Sequence, residues 1–143
     1  GLGSGIIIDN KLYNGNNSGA GEIGLIPYLE HNLEYYCSSS FFSEIHKTKG
    51  EVAFKGASRG DPVMEAIWSE FGKHVAQAVK IIVLTYDPEV IVLGGSIANA
   101  FNFFQFSLYE ELYDFAFPRS MERLVIRQAQ NQHSALIGAS LLT

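Results

Sequence analysis

Cysteine is almost missing from this sequence, which has one such residue, Cys37, in 143. A single cysteine cannot close a disulfide within the chain, and this predicts a protein of a reducing compartment. The sequence also lacks an apolar run long enough to span a bilayer, and its first residues lack the basic segment and apolar core of a secretory signal. Together these absences predict a cytoplasmic protein that does not contact a membrane.

Positive charge is scarce as well. The 10 lysine and arginine residues stand against 15 aspartate and glutamate residues, so the formal net charge is -5. A chain with this balance offers no electrostatic footprint for nucleic acid or for an anionic membrane. Charged residues make up only 17% of the sequence and hydrophobic residues 47%, which excludes a disordered chain. The length suits one domain with a core of its own.

Glycine is abundant, and the first stretch, GLGSGIIID, has it at positions 1, 3 and 5. Glycine has no Cβ, so its amide group can approach a phosphate closely, although glycine also serves simply to let a chain bend. Three β-branched residues follow at 6–8, then the turn-forming run DNK at 9–11 and the extended pair LY at 12–13. The pattern predicts a glycine loop that leads into a β-hairpin.

The next part of the chain mixes loop and helix patterns. Residues 14–22 are rich in glycine and asparagine and are expected to form a loop, followed by extended chain over residues 23–28. The spacing of apolar residues predicts a helix over residues 33–45. Residues 50–60 are expected to be a polar connector.

The second half of the chain alternates helices and strands. Asp61 and Pro62 predict the start of a helix that apolar residues at a spacing of about 3.6 continue to about residue 85. The apolar run EVIVLGGSI at 89–97 predicts a central parallel strand that is covered on both faces and ends in a glycine pair. The remaining predictions are a helix over residues 98–117 ended by Pro118, a strand over 123–129 and a closing helix over 134–143. This order is that of an α/β domain, in which ligands bind beyond the carboxyl ends of parallel strands.

Four motifs occur in a fixed order along the whole chain: GLGSGIIIDNKLYNG, GAGEIG, DPEVIVLGGSI and SALIGAS. Taken together, they resemble the ROK family of bacterial repressors and sugar kinases. The resemblance implies an α/β fold of the ribonuclease H-like (actin-like ATPase) type, with a mixed sheet flanked by helices. It also implies that residues 1–143 form a single C-terminal lobe, and that the first lobe and the strand leading into the glycine loop are absent.

The family signature runs Glu-x-Gly-His and then Cys-x-Cys-Gly-x-x-Gly-Cys-x-Glu, and this sequence follows it only in part. Leu25 stands in place of the histidine, and Tyr35 and Phe42 stand in place of the outer cysteines. Cys37 matches the middle cysteine and is expected to be a small buried hydrophobic residue. Because a structural zinc site needs four ligands, no zinc or other metal is expected here. His31 and His46 are expected to be ordinary surface residues rather than substitute ligands.

The resemblance implies two groups of ligand-binding residues. The first holds sugar hydroxyls and consists of Glu22 and Glu44, whose carboxylates suit that role. The second holds ATP, with the phosphates at the glycine loop and the adenosine at the later glycine pair: Gly3, Ser4, Gly5, Gly94, Gly95 and Ser96. The alternative for Glu22 and Glu44 is that both are simply solvated.

Three functions remain open from the sequence. The first is the C-terminal lobe of a glucokinase-like, ATP-dependent sugar kinase that transfers the γ-phosphate of ATP, with Mg²⁺, to a hexose. The second is the sugar-sensing lobe of a ROK transcriptional repressor, and the third is a degenerate lobe kept for dimerisation. In each case the expected partner is the missing N-terminal lobe, which carries the catalytic aspartate in the family. No catalytic residue is therefore expected in this chain, and the isolated chain should be inactive.

The helix predicted over residues 98–117 is unusually rich in aromatic residues. Its phenylalanines at 101, 103, 104 and 106 are expected to be core or subunit contacts rather than a ligand box. Exposed phenylalanine and tyrosine on this helix, together with the habit of the family, predict a homodimer.

Overall fold

A computed structural model describes residues 1–129 and has a mixed α/β architecture. It begins with the predicted hairpin, in which β1 (Ile6–Ile8) pairs antiparallel with β2 (Lys11–Tyr13). Asp9 and Asn10 connect the two strands with φ angles of 52° and 61°. These short polar side chains tolerate the left-handed conformation that a tight hairpin turn requires. The hairpin prediction is confirmed.

The segment predicted as extended chain and then one helix is more broken than expected. Residues Ile23–Leu25 form a 3₁₀ turn, and only β3 (Pro27–Tyr28) is extended, paired with β4 (His31–Asn32). Helix α1 (Leu33–Tyr36) is then separated from a π-helical turn, Phe41–Ile45, so the prediction of one helix over residues 33–45 is wrong. The break contains three serines, and the Ser38 hydroxyl accepts a hydrogen bond from the Ser40 amide at 3.2 Å. Such local bonds compete with helical ones.

The predicted polar connector at residues 50–60 is mostly helical, which corrects that prediction. Helix α2 (Gly50–Ala57) buries Ala53 and Ala57, two small residues four positions apart that face α3. One glycine of this stretch, Gly56, has a packing role. A Cβ on Gly56 would lie 2.5 Å from the Cγ of Met64, so glycine lets the two helices approach closely.

Helix α3 (Pro62–Tyr86) is the central element, and its prediction is confirmed. The Asp61 side chain accepts a hydrogen bond from the Val63 amide at 2.9 Å and so caps the helix, while Pro62 occupies the first turn. The helix ends at Tyr86, and the residue after it, Asp87, has a φ of 45°. The largest fully buried aromatic side chains of the core lie on it or against it: Trp68, Phe41, Phe42, Phe71 and Phe104.

Strand β5 (Val90–Leu93) follows and pairs in parallel with β6 (Val125–Gln128), which confirms both strand predictions. The expectation that β5 is covered on both faces is wrong for the part of the chain that is described. Val90 and Val92 are exposed, whereas Ile91 and Leu93 pack against the core. Alternation of this kind is typical of a strand with one buried face.

The aromatic helix is shorter than predicted. A 3₁₀ turn, Ser96–Ala100, leads into α4 (Phe101–Leu112), and a separate helix, α5 (Pro118–Arg123), follows. Pro118 therefore begins a helix rather than only ending one, because proline is favoured in a first turn. Phe104 is buried, and Phe101 and Phe103 pack against the core, as predicted.

The six described strands form three two-stranded ribbons, two antiparallel and one parallel, with helices packed beside them. The closing helix predicted over residues 134–143 lies outside the described residues. Within residues 1–129, no helix is both long and apolar enough to cross a bilayer.

Candidate functional site

The glycine loop, residues 1–5, lies directly on the signature loop, residues 21–24. The Ser4 hydroxyl donates a hydrogen bond to the Gly21 carbonyl oxygen at 2.7 Å. Gly21 has a φ of 92°, and a Cβ at this position would lie 2.5 Å from the Ser4 carbonyl oxygen. Both the backbone conformation and the close approach therefore require glycine at position 21.

A second contact joins the same two loops. A Cβ on Gly24 would overlap the carbonyl oxygen of Leu2. The Leu2 amide donates a hydrogen bond to Glu34 Oε2 at 2.9 Å, so the glycine loop is also tied to α1. The two glycines of the GEIG motif thus serve a specific purpose, which is to let the glycine loop lie against the loop that carries Glu22.

Gly3 has a different environment from Gly21 and Gly24. A Cβ on Gly3 would meet no atom within 4 Å, and its φ is not in the left-handed range. A Cβ on Gly5 would make only an ordinary contact with Leu12 at 3.8 Å. Packing and backbone strain therefore do not explain glycine at position 3, whereas close approach of a ligand to the amide would.

Glu22 is exposed between two buried positions of the signature loop. It occupies the N-cap position just before the 3₁₀ turn, and its side chain makes no capping hydrogen bond there. Ile23 and Gly24 are buried beside it and hold the backbone in place. The carboxylate thus projects from a fixed loop that touches the glycine loop.

Glu44 lies in the π-helical turn and is exposed, with its carboxylate accepting a hydrogen bond from the Ser43 hydroxyl at 3.0 Å. Within the described part of the chain, no hydrogen bond or ion pair connects Glu44 to Glu22 or to the glycine loop. Direct contacts therefore join the loop that carries Glu22 to the glycine loop. Glu44 takes part in none of these contacts.

Gly94, Gly95 and Ser96 follow β5 at the carboxyl end of the parallel pair. Gly95 has a φ of 82°, which favours glycine. A small cavity lies at this strand end, and beside it the Gln128 side-chain amide donates a hydrogen bond to Asn99 Oδ1 at 3.0 Å. The position is the one where open parallel sheets bind ligands.

Apolar and aromatic side chains occupy three of the positions that hold metal ligands in the family signature. Leu25 is exposed, the Tyr35 ring stacks on His31 with ring centres 3.9 Å apart, and Phe42 is fully buried. Burial raises the pKa of the Cys37 thiol to about 12, so that the protonated form predominates at neutral pH. Among residues 1–129, no three side chains of the metal-binding types are grouped as a site.

A hydrogen-bonded aromatic cluster joins β3 and α1 to α3, and sequence reasoning missed it. His74 of α3 lies 3.0 Å from the Tyr28 hydroxyl through Nδ1, and its ring centre is 5.0 Å from that of Tyr36. Glu70 lies between two histidines, 3.2 Å from His46 Nε2 and 3.9 Å from His74 Nε2. Burial lowers the pKa of His74, and Glu70 opposes that shift. The only sequence signal was the four-residue spacing of Glu70 and His74 on one helix face.

Glu34 was missed as well, because nothing near it in the sequence marks it. Its contact with Leu2 spans 32 positions. Only the folded chain brings this carboxylate to the glycine loop.

Comparison with known proteins gives matches in sequence and in fold. The protein-family model described as ROK family matches residues 1–143 of this chain. An uncharacterized protein of Clostridium perfringens (strain 13 / Type A) is 28% identical over 106 residues, which are 68% of this chain and 36% of that protein. A ROK family glucokinase from Streptomyces griseus, solved in complex with glucose and AMPPNP, matches with a TM-score of 0.81 and 20% identity, over 100% of this chain and 57% of that chain.

A ROK family transcriptional regulator, a homolog of the E. coli MLC protein, matches equally well. Its TM-score is 0.81 with 21% identity, over 94% of this chain and 41% of that chain. At such identities the two structures establish a shared fold. This chain spans about half the length of these structural relatives.

Proposed function

Because this chain belongs to the ROK family, we propose that it is the C-terminal lobe of an ATP-dependent sugar kinase that acts on a hexose. In this proposal residues 1–143 work with a first lobe that carries the catalytic base. The observation that carries the proposal is the contact between the glycine loop and the Glu22 loop, at Ser4–Gly21 and Leu2–Gly24. A kinase must hold its phosphate donor and its acceptor hydroxyl side by side, and these adjoining loops are suited to that.

The residues of the glycine loop fit a phosphate chain. Gly3 leaves open space for close approach to its amide, and Gly5 is nearly as open. Backbone amides arranged in this way bind anions without a basic side chain, which suits a chain with a net charge of -5. When bound, ATP with Mg²⁺ supplies the phosphoryl group. Gly94, Gly95 and Ser96 are proposed to lie beside its adenosine, at the end of β5.

Glu22 is proposed to accept hydrogen bonds from sugar hydroxyls. Its exposed carboxylate projects from a backbone that Ile23 and Gly24 bury on one side. Ionised carboxylates make the stronger kind of hydrogen bond to hydroxyl donors and can hold two at once. Glu44 is proposed as a second sugar contact, with weaker support because it makes no direct contact with the Glu22 loop.

The sugar-sensing lobe of a repressor is the second candidate, and Leu25 is the observation that favours it. Its side chain is 68% exposed just after the signature loop, at the position where the family pattern has a polar histidine. Phosphoryl transfer requires precise placement of the accepting hydroxyl, whereas sensing requires only that the sugar be bound, so the loss of a polar group here favours a lobe that does not transfer phosphate. The matched transcriptional regulator has a fold equally similar to this chain.

A homodimer is also part of the proposal. Phe106 of α4 is 78% exposed and Tyr113 just beyond it is 87% exposed, which makes this helix face an apolar surface that a second copy would cover. A degenerate lobe retained for dimerisation would need this surface but not Glu22.

Production of ADP in the presence of glucose tests the proposal. The whole protein, with both lobes, is expected to release ADP when glucose and ATP are both present. The isolated chain is expected to release none, since loss of a general base alone lowers rates about a hundred- to ten-thousand-fold. Glucose binding by the whole protein without ADP release would favour the repressor function, and absence of glucose binding would favour the degenerate lobe.

A further inference from the structure

Glu34 touches both loops of the candidate site, yet it has no role in the proposed reaction. Its Oε2 accepts the Leu2 amide hydrogen bond at 2.9 Å, and its Cβ lies 3.3 Å from the position that a Cβ on Gly24 would occupy. The side chain is partly buried. A single side chain thus contacts the glycine loop through its carboxylate and the signature loop through its Cβ.

The element that carries Glu34 is itself firmly held. Asn32 caps α1, with its side chain accepting a hydrogen bond from the Tyr35 amide at 2.9 Å. Leu33, the neighbour of Glu34, is fully buried in a cluster with Cys37 and Ala78 of α3. Glu34 therefore projects from a fixed backbone, and its carboxylate can act as a fixed point for the loop that it contacts.

Two hydrogen bonds restrain the glycine loop at alternate residues. Leu2 is bonded to Glu34, and Ser4 is bonded to Gly21 at 2.7 Å. Gly3 lies between these two restrained residues with open space around it. A loop fixed on both sides of an open glycine presents that amide in one orientation, which lowers the entropy lost when an anion binds.

We propose that Glu34 is a positioning residue, which fixes the glycine loop through the Leu2 amide and thereby sets the nucleotide phosphates relative to the sugar loop. The part of this inference that concerns the nucleotide and the sugar rests on the proposed function. The contact between Glu34 and the glycine loop does not depend on it. The bond is charge-assisted, since an ionised carboxylate accepts from a backbone amide, and this makes it stronger than a neutral one. The negative charge of Glu34 faces the Leu2 amide, which donates the hydrogen bond.

Three substitutions at Glu34 distinguish the effect of where the acceptor oxygen lies from the effect of its negative charge. Glu34→Gln keeps the length of the side chain and an oxygen acceptor but removes the charge. Glu34→Asp keeps the charge but is one methylene too short to reach Leu2 in the same geometry. Glu34→Ala removes both. Glu30→Ala is the matched control, because Glu30 is exposed and has no hydrogen bond or ion pair within the described residues.

Hydrogen exchange of the Leu2 backbone amide in the whole protein tests the loop contact directly. Exchange is expected to rise about tenfold in Glu34→Asp and Glu34→Ala, and to rise less in Glu34→Gln, which keeps an oxygen acceptor but loses the charge. Glu30→Ala should not differ from the unaltered protein. Unchanged exchange in Glu34→Asp would overturn the inference, and this variant keeps most of the native side chain should Glu34→Ala fail to fold.

Affinity for AMPPNP, measured by calorimetry on the whole protein, tests the consequence for the ligand. Glu34→Asp should weaken AMPPNP binding by about threefold to tenfold, and Glu34→Gln, which keeps the acceptor in place, should weaken it less. Tighter binding in both Glu34→Gln and Glu34→Ala would mean that the carboxylate repels phosphate, which also overturns the inference. If the unaltered protein binds neither AMPPNP nor glucose, the proposed function fails, and hydrogen exchange still decides whether Glu34 holds the loop.

Discussion

The Tyr28 hydroxyl and His74 Nδ1 lie 3.0 Å apart and join the β3–β4 ribbon to α3. If the phenol donates to Nδ1, the neutral imidazole carries its proton on Nε2, which faces Glu70 at 3.9 Å. The edge of the Tyr28 ring also meets the Tyr36 ring, with centres 5.3 Å apart. This arrangement holds the β3–β4 ribbon and α1 against α3 through hydrogen bonding and aromatic packing.

Stability should fall as the pH is lowered, with His74 as one cause. Burial, opposed by Glu70, lowers the pKa of His74 in the folded protein, whereas the unfolded chain has the ordinary value of about 6.5. The unfolded state then binds more protons between these two pKa values. The stability contribution is therefore complete above about pH 6.5 and is lost as the pH falls through the folded-state pKa.

Urea unfolding at about pH 7.5 and about pH 5.5 measures this effect. The groups that face His74 are Tyr28, Tyr36, Phe41, Glu70 and, more distantly, His46. The variant His74→Gln, which cannot titrate, should lose less stability over this interval than the unaltered protein. Equal losses in the two proteins would contradict the assignment to His74.

Gly72→Ala should destabilise the fold, although alanine is the better helix former. A Cβ on Gly72 would overlap the Ser107 hydroxyl and the Phe104 carbonyl oxygen, so α3 and α4 would have to separate. Overpacking of this kind costs about 1–3 kcal/mol, and the gain in helix propensity is only about 1 kcal/mol. Urea unfolding should give a net loss of stability.

Gly50→Ala is the matched control for that substitution. Gly50 begins α2, and a Cβ there would make an ordinary contact with the Phe42 ring at 3.6 Å. Stability should stay equal or rise slightly. A stabilised Gly72→Ala protein would show that the two helices are not in the close contact described here.

The difference between these glycines also explains how much the sequence could predict. The hairpin and α3 were predictable because turn-forming residues, a cap and an apolar period lie within each element. Helix α2 was missed because Gly50 and Gly56 favour a connector locally, and the close packing of Gly56 against Met64 is visible only in the folded chain. The contact of Glu34 with Leu2 was missed because it joins residues far apart in the chain.

Zinc should be absent from the protein purified without chelators. Three of the four positions that hold ligands in the family pattern are Leu25, Tyr35 and Phe42, and the fourth is Cys37. Because burial raises the pKa of the Cys37 thiol to about 12, forming the thiolate that metals require is costly. Elemental analysis is the measurement, and a content of about one zinc per chain would disprove the prediction.

Gly3→Ala should weaken nucleotide binding and leave stability unchanged. The folded chain has room for a Cβ at position 3, so any effect must come from the approach of a ligand. Gly19→Ala is the control, because a Cβ on Gly19 also meets nothing within 4 Å but lies outside the glycine loop. AMPPNP affinity, with thermal melting as the folding control, separates the two variants. Equal affinity in both would remove the support for a phosphate site at Gly3.

Glu22→Ala should weaken glucose binding by the whole protein while the fold stays intact. The side chain is exposed and makes no capping bond, so it contributes little packing, whereas its loss removes hydrogen bonds to a charged acceptor. Such bonds are worth about 1.5–3 kcal/mol, or about ten- to a hundredfold in affinity. Calorimetry with glucose measures the effect, and Glu30→Ala serves as the control for removal of an exposed carboxylate.

Glu44→Ala should weaken glucose binding less clearly than Glu22→Ala does. Glu44 lies in the π-helical turn whose two phenylalanines, Phe41 and Phe42, are fully buried, so this substitution also disturbs a packed element. Thermal melting should therefore change more in Glu44→Ala than in Glu22→Ala. If glucose affinity is unchanged in the Glu22 variant, the signature persists here only as a structural element. The glycines at 21 and 24 would then be retained because the glycine loop packs on them, and the degenerate lobe would become the favoured function.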